Sequence, residues 1–90
     1  MVQEDSNGQI QVKVKLFAVY QEVFGTPELE LKLLPETTIE QLLASLIEQQ
    51  PQLTKWRDVT RFGVNLQFVE SDTVLQDEDE VVLIPPVSGG

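Results

Sequence analysis

Gly89 and Gly90 are the residues of this chain whose type and placement point most directly to covalent chemistry. The sequence closes at Gly90, so its α-carboxylate is expected to be free; at neutral pH that group is ionised and unreactive. If a partner enzyme adenylated it, AMP would become a leaving group and the acyl carbon could accept a sulfur or nitrogen nucleophile. Glycines have no Cβ, so such a tip can enter a channel that side chains would block. Pro85 and Pro86 stand a few residues upstream, with φ fixed and no backbone N–H to continue a central strand. The expected arrangement is a stiff stalk leading through Val87 and Ser88 to a thin, bare tip. A frayed, glycine-rich end is the plainer alternative. The proline pair, and the strongly strand-like stretch before it, favour the functional reading.

The side chains offer little beside it. The chain has no cysteine and no histidine, which excludes disulfides, thiolate nucleophiles, thiolate or imidazole metal sites and histidine-based acid–base catalysis. Ser88 therefore has no base to activate it. The acidic run Asp77 to Glu80 lacks the spaced ligands and central glycine of an EF-hand, so it reads as a solvated turn and no metal is expected. No phosphate-cradling glycine loop is found. The chain is thus expected to have no catalytic side chains of its own and no permanently bound cofactor.

Six basic residues face fifteen acidic ones, a formal net charge of -9. Such a chain is repelled by nucleic acid and by anionic membranes, and no basic stripe offers an exception. An acidic surface suits docking on a basic partner, or simply solubility. Ninety residues, 41% of them hydrophobic, make one globular domain with a modest core. No apolar run is long enough to span a membrane and no signal pattern opens the chain, so the expected location is cytoplasmic.

The elements that must position the tail follow in order. Residues 1–9 are polar and read as a disordered leader. From Ile10 the pattern alternates, with Ile10, Val12, Val14, Leu16 and Ala18 on one face and Gln11, Lys13 and Lys15 on the other. Parity puts the large aromatic Phe17 on the lysine face. A short helical turn through Tyr20 to Phe24 ends at Gly25-Thr26-Pro27. Glu28 to Leu34 alternates again, with Leu29, Leu31 and Leu33 inward. The connection is too short for a parallel crossover, so the two strands should pair antiparallel.

Pro35 ends the second strand. Thr37 or Thr38 offers an N-cap with Glu40 or Gln41 as capping-box partner. The spacing of Ile39, Leu42, Leu43, Leu46 and Ile47 predicts a core-facing helix from about Ile39 to Gln50. Leu53 to Arg61 reads as an irregular loop that caps the core with Trp56. Phe62, Val64 and Leu66 alternate as a short strand, with a tight turn at Asn65-Leu66-Gln67 and Phe68 and Val69 returning. Glu80 to Ile84 is the last strand, with Val81 and Leu83 inward and Val82 and Ile84 outward. This order predicts an α+β fold: a β-grasp, or ubiquitin-like, roll of residues 10–84, a mixed four- to five-stranded sheet on one main helix, with residues 85–90 as a flexible tail. The C-terminal strand should lie centrally, parallel to the first.

The stretch from Asp79 through Ile84-Pro85-Pro86-Val87-Ser88-Gly89-Gly90 closely resembles the C-terminus of the small, sulfur-carrying subunit of molybdopterin synthase. The first strand Val12 to Ala18, the helix opening Thr38-Ile39-Glu40-Gln41-Leu42 and the pair Val64-Asn65 support the likeness, which covers roughly residues 10–90. It implies that Gly90 is adenylated by a ubiquitin-activating-type adenylyltransferase using ATP. A sulfurtransferase would then supply the sulfur that turns Gly90 into a thiocarboxylate, a 1-thioglycine. The tail would insert into the large catalytic subunit and donate sulfur to cyclic pyranopterin monophosphate, within a heterotetramer of two small and two large subunits.

By that resemblance Gly90 carries the sulfur and Gly89 gives clearance, while Pro85, Pro86, Val87 and Ser88 lie in the partner's channel. Phe17, Phe68 and Ile84 match positions of apolar contact with the large subunit. Parity independently puts Phe17 and Ile84 outward, and exposed apolar groups beside a functional tail mark an interface. The chain departs from the family at Val19-Tyr20-Gln21-Glu22, where a basic residue often precedes the glutamate. It departs again at Asp77-Glu78-Asp79-Glu80, where the family favours Asp-Gly-Asp-Glu; Glu78 tolerates positive φ less well than glycine. The alternatives are a sulfur carrier of the thiazole-synthesis type, which the Pro-Pro-Val-Ser approach disfavours, a ubiquitin-like modifier conjugated through Gly90, and a plain interaction module.

Overall fold

The computed structural model describes residues 8–86. Strand β1 (Ile10–Leu16) buries Val12, Val14 and Leu16 and turns Lys13 and Lys15 to the other face, as the alternation requires. Helix α1 (Val19–Phe24) follows and stops at Gly25, whose φ of 73° is the left-handed cap glycine accepts without strain. Strand β2 (Glu28–Leu33) returns antiparallel to β1, pairing Val12 with Leu31 and Val14 with Leu29.

Helix α2 (Ile39–Gln49) opens on the capping box expected for it. The Thr38 hydroxyl accepts from the Gln41 N–H at 3.2 Å, and the Gln41 side chain accepts from the Thr38 N–H at 2.9 Å. Two further N–H groups of its first turn, those of Ile39 and Glu40, donate to the carbonyls of Thr73 and Ser71. The loop before the last strand thus satisfies donors that a helix start leaves open. Ile39, Leu42, Leu43 and Leu46 are buried on one stripe.

Residues Pro51–Val59 form a 3₁₀ helix, where the sequence reading expected an irregular loop. Pro51 lacks the N–H that the first turn cannot use, and Leu53 N–H donates to the Gln50 carbonyl at 2.9 Å. In a 3₁₀ helix residues three apart share a face. Leu53 and Trp56 are so spaced: Leu53 is fully buried, and Trp56 packs half-buried against the core as expected.

Strands β3 (Arg61–Val64) and β4 (Gln67–Val69) form a hairpin, and β5 (Glu80–Ile84) closes the sheet in the order β2-β1-β5-β3-β4. As expected, β5 is central: it runs parallel to β1, with Val14 beside Val81 and Leu16 beside Leu83, and antiparallel to β3. The helix and the inward residues of β1, β3 and β5 make one core around Val12, Val14, Leu16, Phe62, Val81 and Leu83. This is the β-grasp fold.

One inward assignment fails, and one alternating run ends in the tight turn expected at Asn65-Leu66-Gln67. Ala18 lies past the end of β1 with φ 51° and ψ −122°, turning the chain into α1, and is exposed. Leu66 is 92% exposed because Asn65 and Leu66, at φ 52° and 73°, are the central residues of the hairpin turn. Positive φ at both positions is the type I′ pattern that matches strand twist. A turn there overrides the period of two.

Candidate functional site: the base of the tail and the outer sheet face

Tyr20 ties α1 to the residue before β3, while Asn65 and Asp79 hold the start of the last strand. Tyr20 is fully buried, and its hydroxyl meets that of Thr60. The Thr60 hydroxyl donates its single hydrogen to the Trp56 carbonyl at 2.7 Å, so the Tyr20 O–H donates to Thr60. Burial pushes the Tyr20 hydroxyl above its ordinary value of 10.0, with the Thr60 bond acting the other way.

At the opposite end of β5, the Asn65 side-chain amide donates to Asp79 Oδ1 at 2.9 Å, and its carbonyl accepts from the Glu80 N–H at 3.0 Å. Asp79 Oδ2 accepts from the Gln76 N–H at 2.7 Å, and Asp77 Oδ1 from the Gln11 N–H at 2.8 Å. These two aspartates of the acidic run therefore cap backbone amides where β5 begins. Glu78 takes φ 70° in that turn, the geometry for which glycine is better suited. Among the described residues no cluster of acidic side chains is placed to hold a metal ion.

β5 leaves the sheet between β1 and β3, so both of its edges are hydrogen-bonded up to the point of exit. Ile84 is half-buried, Pro85 buried and Pro86 exposed. Val87, Ser88, Gly89 and Gly90, including the expected sulfur-bearing carboxylate, lie outside the described residues, as do residues 1–7 of the expected leader.

The other expected site residues are on the outer face. Phe17 directly follows the Leu16–Leu83 pair and is 50% exposed. Phe68 is 74% exposed; its partner across the ladder is Gly63, which has no side chain to cover it. A shallow groove brings Phe68 together with Ile84, Pro85 and Pro86, and its lining also includes Val59 and Arg61. Phe17 is not part of that lining. Farther along the same face Lys13 and Lys15 are held by Glu28 and Glu80 at 3.5–3.8 Å.

Sequence reasoning did not single out Val59 or Arg61 for this surface. Val59 is a large exposed apolar group, and Arg61 stands opposite Ile84 in the ladder, hence on the same face. The strand parity that assigned Ile84 outward would have assigned Arg61 with it, had the register been known.

The chain is also similar to known proteins. The family model described as ThiS matches residues 14–90. The chain belongs to the ThiS family.

Among relatives of this ThiS-family chain, the molybdopterin synthase sulfur carrier subunit of Arabidopsis thaliana is 32% identical, over 99% of this chain and 93% of that protein. The subunit of the same name from Chlamydomonas reinhardtii is 37% identical, over 90% of this chain and all of that one. Of solved structures, small archaeal modifier protein 1 from Methanosarcina acetivorans is 31% identical and covers 91% of this chain and 98% of its own, at a TM-score of 0.72. The family expected from the closing residues is therefore the one found. Among the described residues no helix is long and apolar enough to cross a membrane.

Proposed function

We propose that this chain is the sulfur carrier subunit of molybdopterin synthase. A Gly90 carboxylate oxygen attacks the α-phosphorus of ATP on an activating partner, and pyrophosphate leaves. Hydrosulfide, released by a sulfurtransferase, then attacks the acyl carbon and displaces AMP, leaving a thiocarboxylate and a proton. The tail enters the large catalytic subunit with Pro85 to Ser88 in the channel and Gly89 at its narrow part. There the sulfur passes to cyclic pyranopterin monophosphate. Phe17, Phe68 and Ile84 dock the outer sheet face on that subunit, consistent with their exposure.

The observation that carries this reading is the position of β5. It is the central strand, bonded on both edges, and its last residues open onto an exposed apolar groove. A carrier needs that combination: a fixed base for its tail and a docking face beside it. In the test, a chain lacking Gly89 and Gly90 is combined with the large subunit. It should still fold and bind, with some loss of affinity, while sulfur transfer is abolished; full transfer without the glycines would refute the role of the tail.

The likeness to small archaeal modifier protein 1 favours a second reading, in which Gly90 is conjugated to lysines of other proteins. An isopeptide bond from Gly90 to a target, with no sulfur form of the terminus, would favour it over the carrier.

A further inference from the structure

Arg61 is the odd residue of the outer face. It is exposed at the start of β3, directly opposite Ile84, and with Val59, Phe68, Pro85 and Pro86 it lines the groove at the base of the tail. Its neighbours there are mostly apolar. Of the other cations of this face, Lys13 and Lys15 are each within 4.0 Å of a glutamate, and Lys32 lies on the far strand β2, opposite Gln11. Arg61, like Lys32, has no ion pair among the described residues, and it alone of the four lines the groove. Asp58 lines the same groove, and Glu70 the adjoining cleft, but neither is within ion-pair distance of Arg61. In a chain of net charge -9, an uncommitted guanidinium amid apolar groups stands out. Its planar fork fits a carboxylate through two parallel N–H donors.

We propose that Arg61 is a charge anchor of the docking face, taking a carboxylate of the large subunit as the apolar groove closes. This rests on the carrier reading above, and it commits the partner surface to an acidic group facing the base of the tail. The partner as a whole can still be basic, since the rest of this chain is acidic. Burial of the rim around Phe68 and Ile84 would strip water from the pair and strengthen it. An arginine at this place also makes the docking selective: a partner with an apolar or basic residue opposite would leave the guanidinium desolvated and unpaired.

The test is the affinity of the full-length chain for the large subunit of its own organism, measured at low and high salt for wild type, R61A, R61K, R61E and F17D. Arg61 is exposed, so R61A and R61K should melt as wild type does. R61A should weaken binding by about tenfold or more, and its affinity should depend less on salt than that of wild type. R61K should retain the salt dependence with part of the affinity, and R61E should bind more weakly than R61A. Unchanged affinity and salt dependence in R61A, with F17D binding lost, would overturn the anchor and leave the carrier reading standing. If wild type does not bind the large subunit at all, both fall. Self-association of R61A alone, with its binding to the large subunit intact, would also overturn the proposal, since Arg61 would then act only to keep copies apart.

Discussion

Asn65 is expected to contribute more to this fold than any other exposed polar residue, and its replacement can be worked out bond by bond. Its side-chain amide donates to the Asp79 carboxylate and its carbonyl accepts the Glu80 N–H, so one side chain ties the β3–β4 turn to the first residue of β5. A hydrogen bond to a charged acceptor contributes about 1.5–3 kcal/mol and one between neutral groups about 0.5–1.5 kcal/mol. Both are partly open to solvent, which favours the lower ends, about 2 kcal/mol together. Asn65 also sits at φ 52°, a conformation that asparagine tolerates and that costs alanine about 1 kcal/mol. Asn65→Ala should therefore destabilise the chain by about 3 kcal/mol, a large share of the ~5–15 kcal/mol typical of a domain. Asn65→Gly should lose the same two bonds but recover up to about 1 kcal/mol of backbone strain. The assay is urea unfolding followed by the fluorescence of Trp56, the single tryptophan, which packs against the core. A cost below about 0.5 kcal/mol for Asn65→Ala, within the usual range for surface changes, would refute the clamp.

Glu78→Gly should stabilise the chain by about 0.5–1 kcal/mol, because glycine takes the φ of 70° without strain and the backbone bond from the residue 78 N–H to the Gln11 carbonyl is kept. A lower urea midpoint would mean that the glutamate side chain itself is needed. Tyr20→Phe should cost about 1 kcal/mol at neutral pH through the lost bond to Thr60. The folded chain holds the Tyr20 proton more tightly than the unfolded one, so this stability is intact below pH 10.0 and is lost as pH rises through the raised folded value. The gap between wild type and Tyr20→Phe should accordingly shrink above that pH, and a gap that stays constant would contradict the burial argument. Phe17→Asp should leave thermal stability nearly unchanged, since half of the side chain is exposed, yet weaken binding to the large subunit by about tenfold or more.

Much of the fold is legible in the sequence because burial imposes periods. Val12, Val14 and Leu16 announce a strand with one wet face, and Ile39, Leu42, Leu43 and Leu46 a helix with one dry stripe. Thr38 and Gln41 mark the start of that helix because capping is a local matter of three residues. Non-local effects are harder to see. Asn65-Leu66-Gln67 reads both as the end of an alternating strand and as a tight turn, and with no glycine at the second central position only the pairing of Phe62 with Val69 decides that Leu66 turns outward. Asp79 reads as one more solvated acid until the fold brings Asn65 and Gln76 to its two oxygens. The 3₁₀ run hides because its three-residue spacing, seen in Leu53 and Trp56, is too brief to separate from chance. Phe17 and Ile84 were legible as outward by parity, whereas the groove that joins Ile84 to Phe68 and Arg61 depends on strand order.

The most direct test of the carrier account is the intact mass of the chain after incubation with ATP, the activating enzyme and a sulfur donor, with fragmentation to locate any change. The account predicts a gain equal to one oxygen-to-sulfur exchange, confined to the peptide that ends at Gly90 and lost on incubation with the large subunit and its pterin substrate. An adenylated or conjugated terminus that never takes up sulfur, whichever donor is supplied, would contradict it and turn the assignment to the modifier.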